Sequence, residues 1–312
     1  MLAIVLALAS SLAYGISDFL GGLTSRSAAL LSVLLVSQGT ALVLLSVIVV
    51  SRGERPPGGT FLLYAAIAGL SEAVGVAALY RGLAVGVMSV VAPIGATAPV
   101  VPVVVGIVLG EIPTPIQGGG IVLAVTGIAL TALGRSSGEV AVGGRLASSA
   151  FFGLLSALGF GGFFAFMDAA SEGDVPWALL VARLTAVTAF VAAMLLRRAP
   201  LAVRGTQLPA IASIGALIVV ADSMYAISST MGLLSVVAVL SSLYPVVTVA
   251  LARVYLRERI ERLQQIGIAA CLSGVAAISG ATGDGVAETY PHEAKQQQIS
   301  DVRIEKHLAA ED

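Results

Sequence analysis

The sequence predicts an all-α integral membrane protein with ten transmembrane helices, arranged as two inverted five-helix repeats. Three observations predict it. The composition is 57% hydrophobic and 11% charged, with a mean hydropathy of +0.98. A soluble domain carries about 25% charged residues, so this chain cannot cover itself with polar surface in water. Apolar runs long enough to cross a bilayer recur along the chain. The stretch SVVAPIGATAPVVPV at 89–103 is spelled nearly again as SVVAVLSSLYPVVTV at 235–249.

A spanning helix needs ~20 mainly apolar residues. Runs that meet this lie near 2–22, 29–51, 60–81, 84–109, 114–134, 146–168, 176–197, 208–229, 232–254 and 262–281. The breaks between them carry loop chemistry: SRGERPPGG at 51–59, GRSSGEVAVGGR at 134–145, RRAPLAVRG at 197–205 and LRERIER at 256–262. The other breaks are short and predict tight antiparallel hairpins. ALASSLA in the first run resembles a signal-peptide cleavage region, but no basic residue precedes it. An offset of 146 also sets its Ser10, Tyr14 and Gly15 against Ser156, Phe160 and Gly161. The run is therefore expected to stay in the fold.

The same offset runs through the duplicated stretch. Ser89, Val90, Val91 and Ala92 match Ser235, Val236, Val237 and Ala238; Pro99, Val100, Val101 and Val103 match Pro245, Val246, Val247 and Val249. One inserted residue then shifts the offset to 147, and Glu111, Gln117, Gly120, Ile121 and Gly127 match Glu258, Gln264, Gly267, Ile268 and Gly274. Each unit has five spans. Five is odd, so the second unit enters the membrane in the opposite direction, as in many secondary transporters whose substrate site lies between the halves. The expected organisation is a first repeat at 1–134, a loop at 135–145, a second repeat at 146–281 and a polar, mostly disordered tail at 282–312.

These motifs resemble the drug/metabolite transporter superfamily, in its EamA-like family. The residues that carry the resemblance are AYGISDF in the first span, ALYRGLAVGVMSVVAPIGATAPVVPVVVGIVLGEIPTPIQGGGIVLAVTGI, and its partner SSTMGLLSVVAVLSSLYPVVTVALARVYLRERIERLQQIGIAACLSGV. Both long stretches have a Pro at mid-span, a Glu at the helix end and a Gln-x-x-Gly opening the next helix. The resemblance covers roughly residues 2–281. It implies an exporter or exchanger of small metabolites, with a central cavity lined by the first, third, fourth, sixth, eighth and ninth spans.

Ionisable residues inside the spans narrow the candidate site, since each costs ~2.5–3.5 kcal/mol on insertion scales. Asp18, Glu72, Arg183 and Asp222 lie well inside. Glu72 is about twelve residues into its span, or ~18 Å at 1.5 Å per residue, near mid-membrane. Arg183 and Asp222 fall at similar heights on adjacent helices running oppositely, which predicts a charge-assisted pair between them. Glu72 has no basic residue at its own level in this arithmetic. A carboxyl buried without a cation can take up a proton or a cationic substrate in alternation, as an antiporter requires. The alternative for each acid is a hydrogen-bonded packing residue. Asp18 can reach the headgroup region or Arg81.

Tyr14, Tyr80, Tyr225 and Tyr244 offer hydroxyls to a cavity or anchor span ends at the interface, and Trp177 reads as such an anchor. Pro99 and Pro245 predict bends that serve as hinges or plain kinks. Gly120, Ala124 and Gly127 predict close packing of helices through small residues. Glu111 and Glu258 read as solvated or capping residues at helix ends.

Other function classes find little support. The net charge of −1 gives nucleic-acid binding no electrostatic basis. The one cysteine, Cys271, and the two histidines, His292 and His307 in the tail, leave no thiolate metal site, disulfide framework or intramembrane nucleophile–base pair. No cofactor is expected, no enzyme activity, and no Gly-rich phosphate loop is present. Any energy source is then an ion gradient or the substrate's own. A facilitative permease or channel, and a structural membrane protein, remain the alternatives. The expected partners are a small-molecule substrate and the lipid bilayer, with a homodimer left open.

Orientation divides two arguments. With the N-terminus inside, five Lys and Arg fall on the cytoplasmic side and eleven on the other, which by the positive-inside rule favours the N-terminus outside. The resemblance implies cytoplasmic termini, and that arrangement is adopted here. Few Lys with abundant Ala, Gly, Val and Arg point to a bacterial plasma membrane.

Overall fold

The computed structural model describes residues 1–24, 28–85, 88–133, 143–198, 203–255 and 262–284. Among them the fold is all-helical. The helices are α1 (Leu2–Thr24), α2 (Leu30–Arg52), α3 (Gly59–Val85), α4 (Met88–Gly95), α5 (Val100–Val108), α6 (Pro115–Leu133), α7 (Gly143–Ser171), α8 (Val175–Arg197), α9 (Leu208–Ser229), α10 (Leu234–Ser241), α11 (Tyr244–Tyr255) and α12 (Arg262–Asp284). Eight stretches of the described residues are long and apolar enough to cross a membrane: 2–24, 31–52, 59–79, 147–171, 175–196, 205–229, 234–255 and 262–281; the apolar helix at 115–131 is shorter. The expected tail from 285 onward, most of the loop at 135–145, and Glu258 lie outside the described residues, and α12 runs through the tail's first three residues to Asp284.

Two expected spans are each divided. The run at 84–109 becomes α4 and α5, and the run at 232–254 becomes α10 and α11. The prolines expected to bend these helices stand at the interruptions. Pro99 is the residue before α5, and the chain turns through Ala98 N–H to Gly95 O at 3.2 Å. Pro245 is the second residue of α11, after a turn in which the Leu243 N–H donates to Leu240 O at 3.3 Å. Proline donates no backbone hydrogen bond and clashes with the carbonyl four residues earlier, and here the α-helical ladder gives way to tighter turns, with Pro99 itself in the right-handed helical region at φ −60°.

The sixth expected span, placed at 146–168, runs on into the acidic stretch DAASEGD. α7 continues to Ser171, and Asp168 is buried in its last turn. α8 then begins on a cap: the Asp174 carboxylate accepts the Trp177 N–H at 2.9 Å, with Pro176 in the first turn. Pro and an Asp cap are what a helix start favours. Trp177 donates its indole N–H to Glu54 O at 3.3 Å, which ties the α2–α3 loop to the start of α8.

Helices far apart in sequence make the bundle. α1 packs on α9, and α3 packs on α7; α2 packs on α9, and α3 on α8; α6 packs on α12. The last contact confirms the reading of the small residues. A Cβ at Gly127 would lie 2.6 Å from the Gly267 carbonyl oxygen, and one at Gly120 would lie 2.9 Å from that of Gly274. Backbones this close exclude any side chain between them. At the centre lies α10, buried at all eight residues, from Leu234 to Ser241. It joins a core shared with Tyr225, Phe163, Phe164 and Met167.

Candidate functional site

Arg183 sits on the ninth residue of α8, 2% exposed. Five donors on a planar fork suit it to more than one acceptor. Its Nη2 is hydrogen-bonded and ion-paired to Asp222 Oδ2 on α9, the pairing that helix heights predict. Its Nη1 donates to Glu72 on α3, at 3.0 Å to Oε1 and 3.2 Å to Oε2, and also to the Gln38 side-chain oxygen on α2. The Gln38 amide in turn donates to Glu72 Oε1 at 3.3 Å. Asp222 Oδ1 accepts the hydroxyl proton of Tyr14 on α1. Five helices thus supply one polar network in which two carboxylates share one guanidinium. The Arg183 Nε–H is buried with no acceptor among the described residues.

The expectation that Glu72 has no cation is corrected by this geometry. Height along a helix axis says nothing about which helices touch, and α3 and α8 touch closely. Gly69, three residues before Glu72 and so on its face, has no room for a side chain: a Cβ there would collide with the Ala182 carbonyl. That contact sets Glu72 beside Arg183. Asp222 is 2% exposed and has a partner on each oxygen. Glu72 is 13% exposed, the more accessible carboxylate of the two.

The other sequence candidates divide. Tyr14 joins the network, and its ring meets that of Tyr244 edge-on, with centroids 6.1 Å apart. Asp18 lies one turn beyond Tyr14 on the same face of α1 and is exposed. The Tyr80 side chain lies outside the described residues. Tyr225 is fully buried and donates to Phe164 O at 2.6 Å, so its hydroxyl serves the contact of α9 with α7. Pro99 and Pro245 mark the two helix breaks described above. Gln38 is the member that sequence reasoning missed. Its signal was an amide inside an apolar run, which is weaker than a charge.

Chemically, the cluster holds charge in a low-dielectric interior only while each member keeps its partner. A group that can exchange with Glu72 or with its proton would change the charge balance of the whole network.

Comparison with known proteins agrees with this architecture. The model of the EamA-like transporter family matches residues 1–133 and 147–280. No curated protein matches the sequence. Among solved structures, one described only as the crystal structure of a protein superposes with a TM-score of 0.73, over 88% of this chain and 95% of its own, at 16% identity. At that identity the likeness is one of fold.

Proposed function

The chain belongs to the EamA-like transporter family, and from that premise we propose that it is a secondary transporter that exports a small metabolite or amphiphilic compound by alternating access, with proton exchange at Glu72. The membrane is proposed to be a bacterial plasma membrane, with both termini in the cytoplasm. The observation that carries the reading is the Glu72–Arg183–Asp222 network, buried between helices of both matched stretches inside a transporter family.

The finer architecture of ten crossings in two inverted repeats has three supports. The two matched stretches begin 146 residues apart (147 minus 1), the offset of the sequence repeat. Contacts recur at that spacing: Gly15 lies against Val247 and the Tyr244 carbonyl, and Gly161 against Val101 and the Ala98 carbonyl. Arg52 also meets Asp174, with Nη2 to Oδ2 at 3.0 Å. These two lie on one face, so the chain between them makes an even number of crossings. Counting α4 and α5 as one broken span, α3, α4–α5, α6 and α7 make four.

A facilitative permease without ion coupling is the second reading. It is favoured by the Glu72–Arg183 pair itself, since a carboxylate already neutralised has less need of a proton. Flux in proteoliposomes across a panel of amino acids and cationic dyes, with and without a pH gradient, separates the two. Proton-driven flux in the native protein that is lost in a folded Glu72→Gln variant is the expected result. Full activity of that variant at every pH would remove Glu72 from the mechanism.

A further inference from the structure

Glu111, read from sequence as a solvated or capping residue, reaches across to the other half of the chain. Its Oε1 accepts the backbone N–H of Leu234, and its Oε2 accepts that of Ser235 at 3.0 Å. These are the first two residues of α10, the helix buried along its whole length. The first N–H groups of a helix have no partner within it, and buried ones cannot turn to water. A carboxylate also complements the positive end of the helix.

The sequence builds this contact from two glycines. α5 ends in a turn where the Gly110 N–H donates to Ile107 O at 3.1 Å and the Glu111 N–H donates to Gly106 O at 2.9 Å. Gly110 has φ of 95°. This pair of bonds with a left-handed glycine is a Schellman turn, and it folds Glu111 back over the end of α5. Gly106 then leaves the carboxylate its place, since a Cβ there would collide with Oε2. At the repeat spacing of 146 or 147, the second half has Ala252 or Arg253, and Leu256 or Arg257, where these glycines stand. The glycine pair is written only once.

The contact lies on the face where α1 begins: a Cβ at Gly232, two residues before α10, would lie 3.1 Å from that of Ala3. The Arg52–Asp174 pair also joins the halves but is more exposed, and such pairs hold weakly.

We propose that Glu111 is a latch between the two halves, and that it must release Leu234 and Ser235 before the face where α1 begins can open. The proposal rests on the alternating-access reading above. Two hydrogen bonds to a charged acceptor are enough to shift a closed-to-open ratio by about tenfold or more.

The test is a distance measurement on the full chain in liposomes. Spin labels are placed at Ile112 and Met231, both exposed, in a Cys271→Ala background, and read by pulsed electron resonance. A short distance should dominate in the native protein. Glu111→Gln should raise the long-distance population about tenfold. Gly106→Ala keeps the charge, adds a better helix former and should do the same by displacing the carboxylate; it decides the matter if Glu111→Gln does not fold. Unchanged distances in folded variants, even with lowered thermal stability, would reduce Glu111 to a local helix cap and overturn the latch. Flux is measured in parallel. Transport with unmoved distances sinks the latch alone. Shifted distances in a protein that moves none of the panel keep Glu111 as a clasp between the halves but sink the carrier reading, and with it the latch's role as a gate.

Discussion

Arg183 is the residue on which the buried polar network turns. Removing one partner of a buried pair leaves a charge without compensation, at about 3–5 kcal/mol. Arg183→Leu is therefore expected to lower the thermal unfolding temperature sharply and abolish flux. Arg183→Lys should not restore either, because one ammonium cannot serve Asp222 and Glu72 through separate nitrogens. Gln38→Leu leaves Arg183 with both carboxylates but removes a buried acceptor, for a smaller loss of about 1–3 kcal/mol by thermal unfolding. Charges inside apolar runs made Glu72, Arg183 and Asp222 visible in the sequence, and helix heights paired Arg183 with Asp222. The Glu72–Arg183 contact was not visible, because lateral neighbours depend on how helices pack. Gln38 was passed over because an uncharged amide is tolerated in an apolar run more readily than a charge.

At the scale of the element, the decisive contacts are backbone to backbone. Gly69 against Ala182 holds α3 on α8 and so Glu72 beside Arg183. Gly69→Val should push the two helices apart and cost about 1–3 kcal/mol by overpacking. It should also lower flux as Glu72→Gln does, with no change to the network's own residues. A folded Gly69→Val protein with native flux would separate transport from this geometry. The small residues of α6 announced their contact in sequence, because Gly120, Ala124 and Gly127 share one face at helical spacing. The prolines announced only that something happens at 99 and 245. How far a proline disturbs a helix depends on how the backbone around it is satisfied. Here tighter turns do so, with the Ala98 N–H on Gly95 O and the Leu243 N–H on Leu240 O.

For the whole molecule, the proposed topology places the α2–α3 and α8–α9 loops on opposite sides of the membrane. Single cysteines at Arg55 and Arg204, both exposed, should react with an impermeant maleimide from opposite sides. With cytoplasmic termini, the Arg55 site reacts only after permeabilisation. The charge count favours the reverse, so labelling of the Arg55 site in intact cells would give the decision to the positive-inside rule.

By itself the sequence determined the solvent, the helical class and the 146-residue recurrence, because composition and periodicity are local and additive along a chain. It also singled out the charged residues, since a charge in an apolar run is expensive wherever the run folds. Only the tertiary structure decided that Glu72 has a cation, that Gln38 belongs with it, that two spans are broken, and that Glu111 serves a helix more than a hundred residues away. Those facts depend on which helix faces meet, and contacts between distant segments are set by packing of the whole bundle rather than by any one stretch of it.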